Sequence, residues 1–370
     1  MKKREPIRVL QCVNKMDRAG LETMLMNYYR NIDRDKVQFD FLTHRDEDGA
    51  YDNEIKKMGG KVYHAPRLMP QNYKRYSLYM KKIFEEHPEY KIVHSHIDTM
   101  TYFPLKEAKK NNIPYRISHS HSSKLDKDIK FPIKFYGKIK TKDVANIYFS
   151  CGQKAGEFLY GKNEKFKIIN NAIDLDKFRY DSKKRNELRK KYNIDVDTMV
   201  IGHVGRYIYI KNQMFLISIL HELLKLRQKA KLMLVGTGKD ESKLRGFAKK
   251  MNIDDNVLFF IDRNDVNDLY QMMDVFVMPS LFEGLPLVGV EAQANGLPSI
   301  FSDKISKEVL MTNNCKMLKL EQGVSAWTKI IIEINKERNK DSIEQIKDRC
   351  FDIKEESKKL QEFYINLNKK

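Results

Sequence analysis

The 370-residue chain has only four cysteines, and Cys12, Cys151, Cys315 and Cys350 form no Cys-x-x-Cys pair. That usage argues against a disulfide scaffold or a cysteine zinc site and points to a reducing cytoplasm. No apolar run approaches the roughly 20 residues of a membrane span. The opening "MKKREPIRVLQ" lacks an apolar core and a small-residue cleavage site, so no signal peptide is read there. Short-period repeats and low-complexity linkers are missing too. Acidic charge is in deficit: 69 Lys+Arg stand against 50 Asp+Glu, a formal net charge of +19. Residues 1–170 hold 34 cations against 21 acids, and the remainder holds 35 against 29. A basic surface suits nucleic acid, an anionic membrane or an anionic ligand, and composition does not choose among them.

What is present is alternation. A chain this long exceeds one ordinary core and suits two domains. The β-rich runs "IRVLQCV", "VQFDFLT", "KVYHA", "KIVHSH", "YRISHSH", "NIYFS" and "FKIIN" are separated by helical patterns. The plan restarts with "TMVIGHVG", "KLMLVG", "NVLFF", "DVFVMPS" and "LPSIF". Strands alternating with helices predict an α/β protein of two doubly wound, mostly parallel sheets, joined near residues 170–195. From about Ser325 the chain reads as helical and lysine-rich. There Ile343, Ile346, Cys350, Ile353, Leu360, Phe363 and Tyr364 recur as one buried stripe.

Ligands of open α/β sheets bind beyond the carboxyl ends of strands, so the residues just after strands matter most. In "VGRYIYIKNQMF", Arg206 ends a strand and Lys211 begins the next helix; two solvated cations or a diphosphate clamp both fit. "LMLVGTGKDE" matches two glycines of a dinucleotide fingerprint, but Glu241 stands in the third place, and a tight turn suffices. His94/His96 and His119/His121 end two strands, each pair on one face, which suits a polar cleft lining better than a metal. Residues 127–143 interleave six lysines, among them Lys127, Lys130, Lys134 and Lys138, with Phe131, Phe135 and Tyr136. That stretch is either an ordinary surface helix or a contact for anionic lipid, ahead of nucleic acid. In "MPSLFEGLPLVGVEAQANGLPSIFSD", Glu283 lies in a loop before a helix and Glu291 within it. Gly284 lets backbone approach a ligand, and Pro286 suits the first helical turn. A carboxylate here can accept from a vicinal diol, or simply cap the helix.

That last stretch resembles the signature of the family 4 retaining glycosyltransferases, with its two glutamates separated by seven residues. "VGRYIYIKN" and "RNDVNDLYQMMDVFVMPS" follow the same family's pattern, across about residues 7–335, closest to its capsular and exopolysaccharide branch. The resemblance implies the GT-B fold, two Rossmann-like domains facing a central cleft: residues 1–175 for the acceptor, 176–345 for the donor, and a final helix, 346–370, crossing back. It implies Glu283, His121, Arg206 and Lys211 as catalytic. It assigns donor contacts to Arg206, Lys211, Arg263, Glu283, Gly284, Leu285, Pro286, Leu287 and Glu291. Gly20, His96 and His119 fall to the acceptor side, with His119 the alternative to His121 beside the sugar. No metal and no cofactor are implied beyond a nucleotide-sugar donor, expected to be a UDP-sugar. The acceptor would be a lipid-linked saccharide, the location the inner face of the cell membrane, and nucleic acid no partner. Departures are Ala19 before Gly20, Ala172 in place of a hinge-like glycine, and Asp262 where glycine is common. A sugar-nucleotide epimerase and a noncatalytic binding subunit are the rival readings.

Overall fold

All seven β-rich runs of the first half become strands: β1 Ile7–Cys12, β2 Val37–Thr43, β3 Val62–His64, β4 Ile92–Ser95, β5 Tyr115–Ser120, β6 Ile147–Ser150 and β7 Lys167–Ile168. They form one parallel sheet in the order β3-β2-β1-β4-β5-β6-β7. The second half forms a parallel sheet ordered β10-β9-β8-β11-β12-β13. Its strands are β8 Met199–Val204, β9 Ala230–Val235, β10 Val257–Phe260, β11 Val275–Met278, β12 Ser299–Ser302 and β13 Cys315–Leu318. The computed structural model describes residues 5–125 and 128–369. One compact unit holds the described residues up to Ala172 and those from Cys350 onward; the other is Ile173–Arg349. No helix among the described residues is long and apolar enough to cross a membrane.

Both sheets are covered on both faces, which is why their strands read as continuous apolar runs. On β1, Val9 packs with Tyr28, Phe39 and Tyr364, whereas Leu10 and Cys12 pack with Tyr76, Met80 and Phe84. On β9, Leu232 and Leu234 join Leu216 and Leu220, while Met233 and Val235 join Met273 and Phe276. Each fully buried large side chain contributes about 1.5–3 kcal/mol by leaving water. One short element escaped the sequence reading. Strand β13 is a four-residue edge with Lys316 exposed, too brief and too polar to stand out.

The C-terminal stripe is not continuous. Ile343 and Ile346 sit on the helix Ser342–Lys347, in the second unit. At Cys350 the backbone turns left-handed, with φ 63°, and the helix Ile353–Leu367 starts afresh. Its Ile353, Leu360 and Tyr364 complete the core of the first unit. A period of 3.6 continues in register across a one-turn break, so the pattern conceals the change of partner.

Gly236 and Gly238 mark a close approach. Each has positive φ (147° and 159°), and a Cβ would lie 2.2 Å from Gly205 O and 2.3 Å from Tyr207 O respectively. Their spacing serves the packing of the turn after β9 onto the turn after β8. A dinucleotide fingerprint is not needed to explain it.

The loop into β11 is anchored by three arginines. Arg185 donates to Gln271 O, Met272 O and Met273 O, Arg189 to Met272 O, and Arg338 to Met273 O. They satisfy carbonyls that the helix Val266–Met272 leaves open at its C-terminus. Asp274 pairs with Arg185 at 2.5 Å and Arg189 at 3.2 Å, which keeps the cluster from being an uncompensated positive charge. Strand β11, and so the signature loop after it, starts from a fixed point.

Candidate active site

Strands β8 and β11 are neighbours, and the chain winds away from them in opposite directions. That is the switch point at which a doubly wound sheet opens a crevice. Arg206 follows β8, and Glu283 follows β11. Lys211 does not begin a helix as its sequence suggested. It ends the short 3-10 turn Tyr209–Lys211, and Asn212 then adopts φ 56° before the helix Gln213–Lys225. The kink occurs because Asn212 turns its amide to Pro279 O (3.1 Å), while Leu281 N–H donates to Ile210 O (2.8 Å). Lys211 is thereby drawn to the β11 loop, where Nζ meets Glu283 Oε1 at 2.6 Å. Arg206 stays exposed.

The signature helix runs Leu287–Ala294, with Pro286 just outside it as the N-cap residue rather than in its first turn. The first N–H groups of such a helix have no intrahelical acceptor and are open to an anion or hydroxyl. Gly284 is exposed with nothing within 4 Å of where a Cβ would lie, so that approach is clear. Leu285 packs on the core beneath, alongside Phe301 and Val309. Gly289 permits the helix to sit close to β12, since a Cβ there would lie 2.8 Å from the Phe301 ring. Glu291 Oε2 accepts from the Tyr270 hydroxyl at 2.9 Å. Burial pushes this carboxyl up to about 7, against the opposing pull of that hydrogen bond. Arg263 lies apart in the loop after β10, ion-paired with Asp265 at 2.5 Å. The neighbouring Asp262 holds φ 49°, a conformation that suits the glycine expected at that place.

In the first unit the two histidine pairs, with Gln11 of β1, form one array at the β1/β4/β5 edge. His94 Nε2 lies 3.2 Å from His119 Nδ1, and His96 Nδ1 lies 3.0 Å from His121 Nε2. The two pairs stack, with centroids 4.1 Å apart at His94/His96 and at His119/His121. Burial pushes all four imidazoles down, His121 to about 4, so they are neutral at pH 7. Gln11 Oε1, 2.8 Å from His96 Nε2, can only accept, so His96 donates there and receives from His121 Nε2–H. His121 Nδ1 is left as an acceptor. Asp98 secures that loop by accepting from the backbone N–H groups of His121 (2.6 Å) and Ser122 (3.0 Å).

His94, His96 and His119 are almost fully buried, whereas His121 is partly exposed. A nitrogen from each of His94, His96 and His119 lies within 4.8 Å of the others. Within that trio His94 Nε2 and His119 Nδ1 already face each other at 3.2 Å. Gly20 opens the helix Gly20–Asn31 after β1, with free space around it.

The family profile described as "Glycosyl transferases group 1" matches residues 184–348, which span β8 to β13 and the whole Arg206–Lys211–Glu283–Glu291 set. A putative glycosyltransferase, EpsF of Bacillus subtilis (strain 168), is 34% identical over 336 residues, 88% of this chain and 86% of its own. The chain belongs to the group 1 glycosyltransferases. A second relative, the capsular polysaccharide biosynthesis glycosyltransferase CapH of Staphylococcus aureus, is 23% identical over 97% of this chain and 99% of its own. Among solved structures, Anabaena HepE in complex with UDP superposes with a TM-score of 0.78 at 18% identity, covering 97% of this chain and 99% of that one. The two parallel Rossmann-like sheets are thus the GT-B fold implied by the resemblance.

Three features of this glycosyltransferase escaped the sequence reading: Tyr270 against Glu291, Gln11 behind the histidines, and the Lys211–Glu283 pair. The first two carried no signal, since a buried tyrosine and a strand glutamine are ordinary. For the third a signal existed, because a lysine and a glutamate after adjacent strand ends are candidates to meet once strand order is known.

Proposed function

We propose that this glycosyltransferase is a retaining, family 4-type enzyme that moves a sugar from a UDP-sugar to a lipid-linked saccharide during cell-surface polysaccharide assembly. The observation that carries this reading is the gathering of Arg206, Lys211, Glu283 and Glu291 at the β8/β11 switch point. Arg206 and Lys211 neutralise the diphosphate as it leaves, Glu291 accepts from the ribose diol, and Glu283 positions the sugar. Leu287 contributes its open N–H at the signature helix, and Arg263 lies on the side of the base. His121 offers its neutral Nδ1 to a sugar hydroxyl. The HepE structure bound to UDP and the capsular role in the name of CapH support the donor and the pathway class. Cations serve the leaving group where a metal serves it elsewhere. A panel of nucleotide sugars, each tested with and without a lipid-linked acceptor, decides the reading. Transfer from a UDP-sugar that persists in excess EDTA is expected. Complete loss on chelation, restored by one metal, would overturn the metal-free mechanism.

Donor binding should also depend on pH. An ionised Glu291 accepts from hydroxyls better than a protonated one, and its carboxyl titrates at about 7. Nucleotide-sugar affinity therefore rises with pH and levels off above 7, weakening below it by up to about tenfold per unit. Calorimetry from pH 6 to 8 measures this, and Glu291→Gln should flatten the curve. A flat wild-type curve removes Glu291 from the diol.

We place the enzyme at the inner face of the membrane through the helix Phe131–Lys140. Phe135, Tyr136 and Ile139 project from it, each about half exposed. Its lysines are less free than the sequence suggests. Lys134 pairs with Asp128 at 2.8 Å, Lys140 with Asp143 at 2.9 Å, and Lys138 stands 4.1 Å over the Phe158 ring. Lys127 lies outside the described residues. Each lysine near an anionic surface adds about 1 kcal/mol. Binding to anionic liposomes that weakens with salt is expected. Changing Lys130, Lys134 and Lys138 together to Glu should reduce it, with the CD spectrum unchanged, and so should Phe135→Ser with Ile139→Ser. Equal binding by wild type and both variants would make this stretch an ordinary solvated face.

A further inference from the structure

The two cations after β8 are in different states. Arg206 is exposed, and no ion pair among the described residues engages it. Lys211 is held by Glu283 at 2.6 Å, with only 14% and 20% of the two side chains exposed. Long surface side chains meet by chance and contribute little. This pair differs, because both of its loops are fastened. Leu281 N–H donates to Ile210 O, Asn212 Nδ2 to Pro279 O, and Ser306 N–H to Glu283 O at 3.2 Å. Glu283 also bridges to Ile305 in parallel register. The carboxylate therefore stands where it cancels Lys211.

We propose that Glu283 is a specificity-determining residue: it holds Lys211 until the hydroxyls of a donor sugar replace that cation, and so favours the intact sugar nucleotide over the free nucleoside diphosphate. This rests on the donor-site reading above. A diphosphate that draws Lys211 away leaves a half-buried carboxylate without its cation, which is unfavourable. A sugar nucleotide compensates at once, since its hydroxyls donate to the carboxylate. The nucleoside diphosphate left after transfer has no such hydroxyls there. Its terminal phosphate instead adds negative charge beside Glu283, which is repulsive. The same pair therefore lowers product affinity and speeds release, while costing the true donor little.

The test is a double-mutant cycle read by calorimetry, with UDP, GDP and inorganic pyrophosphate as probes. The proteins are wild type, Glu283→Gln, Lys211→Met and the double variant, each checked for a cooperative melting transition. Glu283→Ser substitutes if the Gln variant misfolds. Glu283→Gln should bind the preferred nucleoside diphosphate, and pyrophosphate, about tenfold tighter or more, and most of this gain should be lost in the Lys211→Met background, where only direct repulsion remains to be relieved. No gain in Glu283→Gln overturns the proposal. An equal gain with and without Lys211 also overturns it, because that is the signature of plain repulsion at a distance. If Lys211→Met and Arg206→Ala leave every affinity unchanged, the donor-site reading itself fails, a distinct outcome.

Discussion

Lys211→Ala and Arg206→Ala are each expected to lower turnover by about 10²-fold or more, with the fold intact. Negative charge grows on the diphosphate as the bond to the sugar breaks. A cation aimed at that charge therefore stabilises the transition state more than the bound donor. The two substitutions differ in detail. Arg206 is exposed and no ion pair among the described residues engages it, so its loss strands no partner among them. Loss of Lys211 also leaves Glu283 without its cation in the free protein, so a modest loss of stability should accompany the lower turnover. Steady-state rates and donor affinities of the two variants, beside wild type, give the answer. Near-normal rates in both would mean that the clamp lies elsewhere.

The second large effect is acid unfolding that begins in one unit. His44, His94, His96, His119 and His121 are held neutral by burial in the first unit, and His203 in the second. An unfolded imidazole takes up its proton near 6.5. These folded ones titrate lower, His44, His121 and His203 at about 4. Between those limits the unfolded chain binds more protons, so stability rises with pH. The contribution is complete above about 6.5 and is lost as pH falls toward 4, each histidine giving up to about 1.4 kcal/mol per unit. Glu291, in the second unit, has the opposite sign: its raised value stabilises at low pH and loses that stabilisation as pH rises through about 7. Trp327, the single tryptophan, lies in the second unit and reports on it alone. On titration from pH 7.5 to 4.5, far-UV circular dichroism should change before Trp327 fluorescence does. Coincident changes would mean that the two units unfold together, and no change above pH 5 would remove these imidazoles as the cause of acid unfolding.

Much of the site was legible because the chemistry of an α/β sheet concentrates at strand ends. Arg206, Glu283 and the histidines each follow a strong apolar run, so a reading of runs alone marks them. What failed did so for local reasons. Strand β13 is short and half polar, and the break at Cys350 preserves helical spacing while reversing which core the chain serves. The lysines of 127–143 read as free charge, yet several of those described are paired or stacked. The pairing acids Asp128 and Asp143 lie within the same stretch, so a tally of its lysines alone overstates its free charge.

By itself the sequence determined the two doubly wound units, the strands that build them, and the acids and cations that punctuate their ends. These follow from periodicity, which is local and needs no knowledge of neighbours. The tertiary structure alone decided that β8 lies against β11 and β1 against β4, because strand order is set by which faces bury together rather than by any one segment. That placement brings Lys211 onto Glu283, closes Tyr270 over Glu291, and stacks four neutral imidazoles beside Gln11. Proximity across a sheet is a property of packing, and with it come the burial and pairing that set how each group is charged.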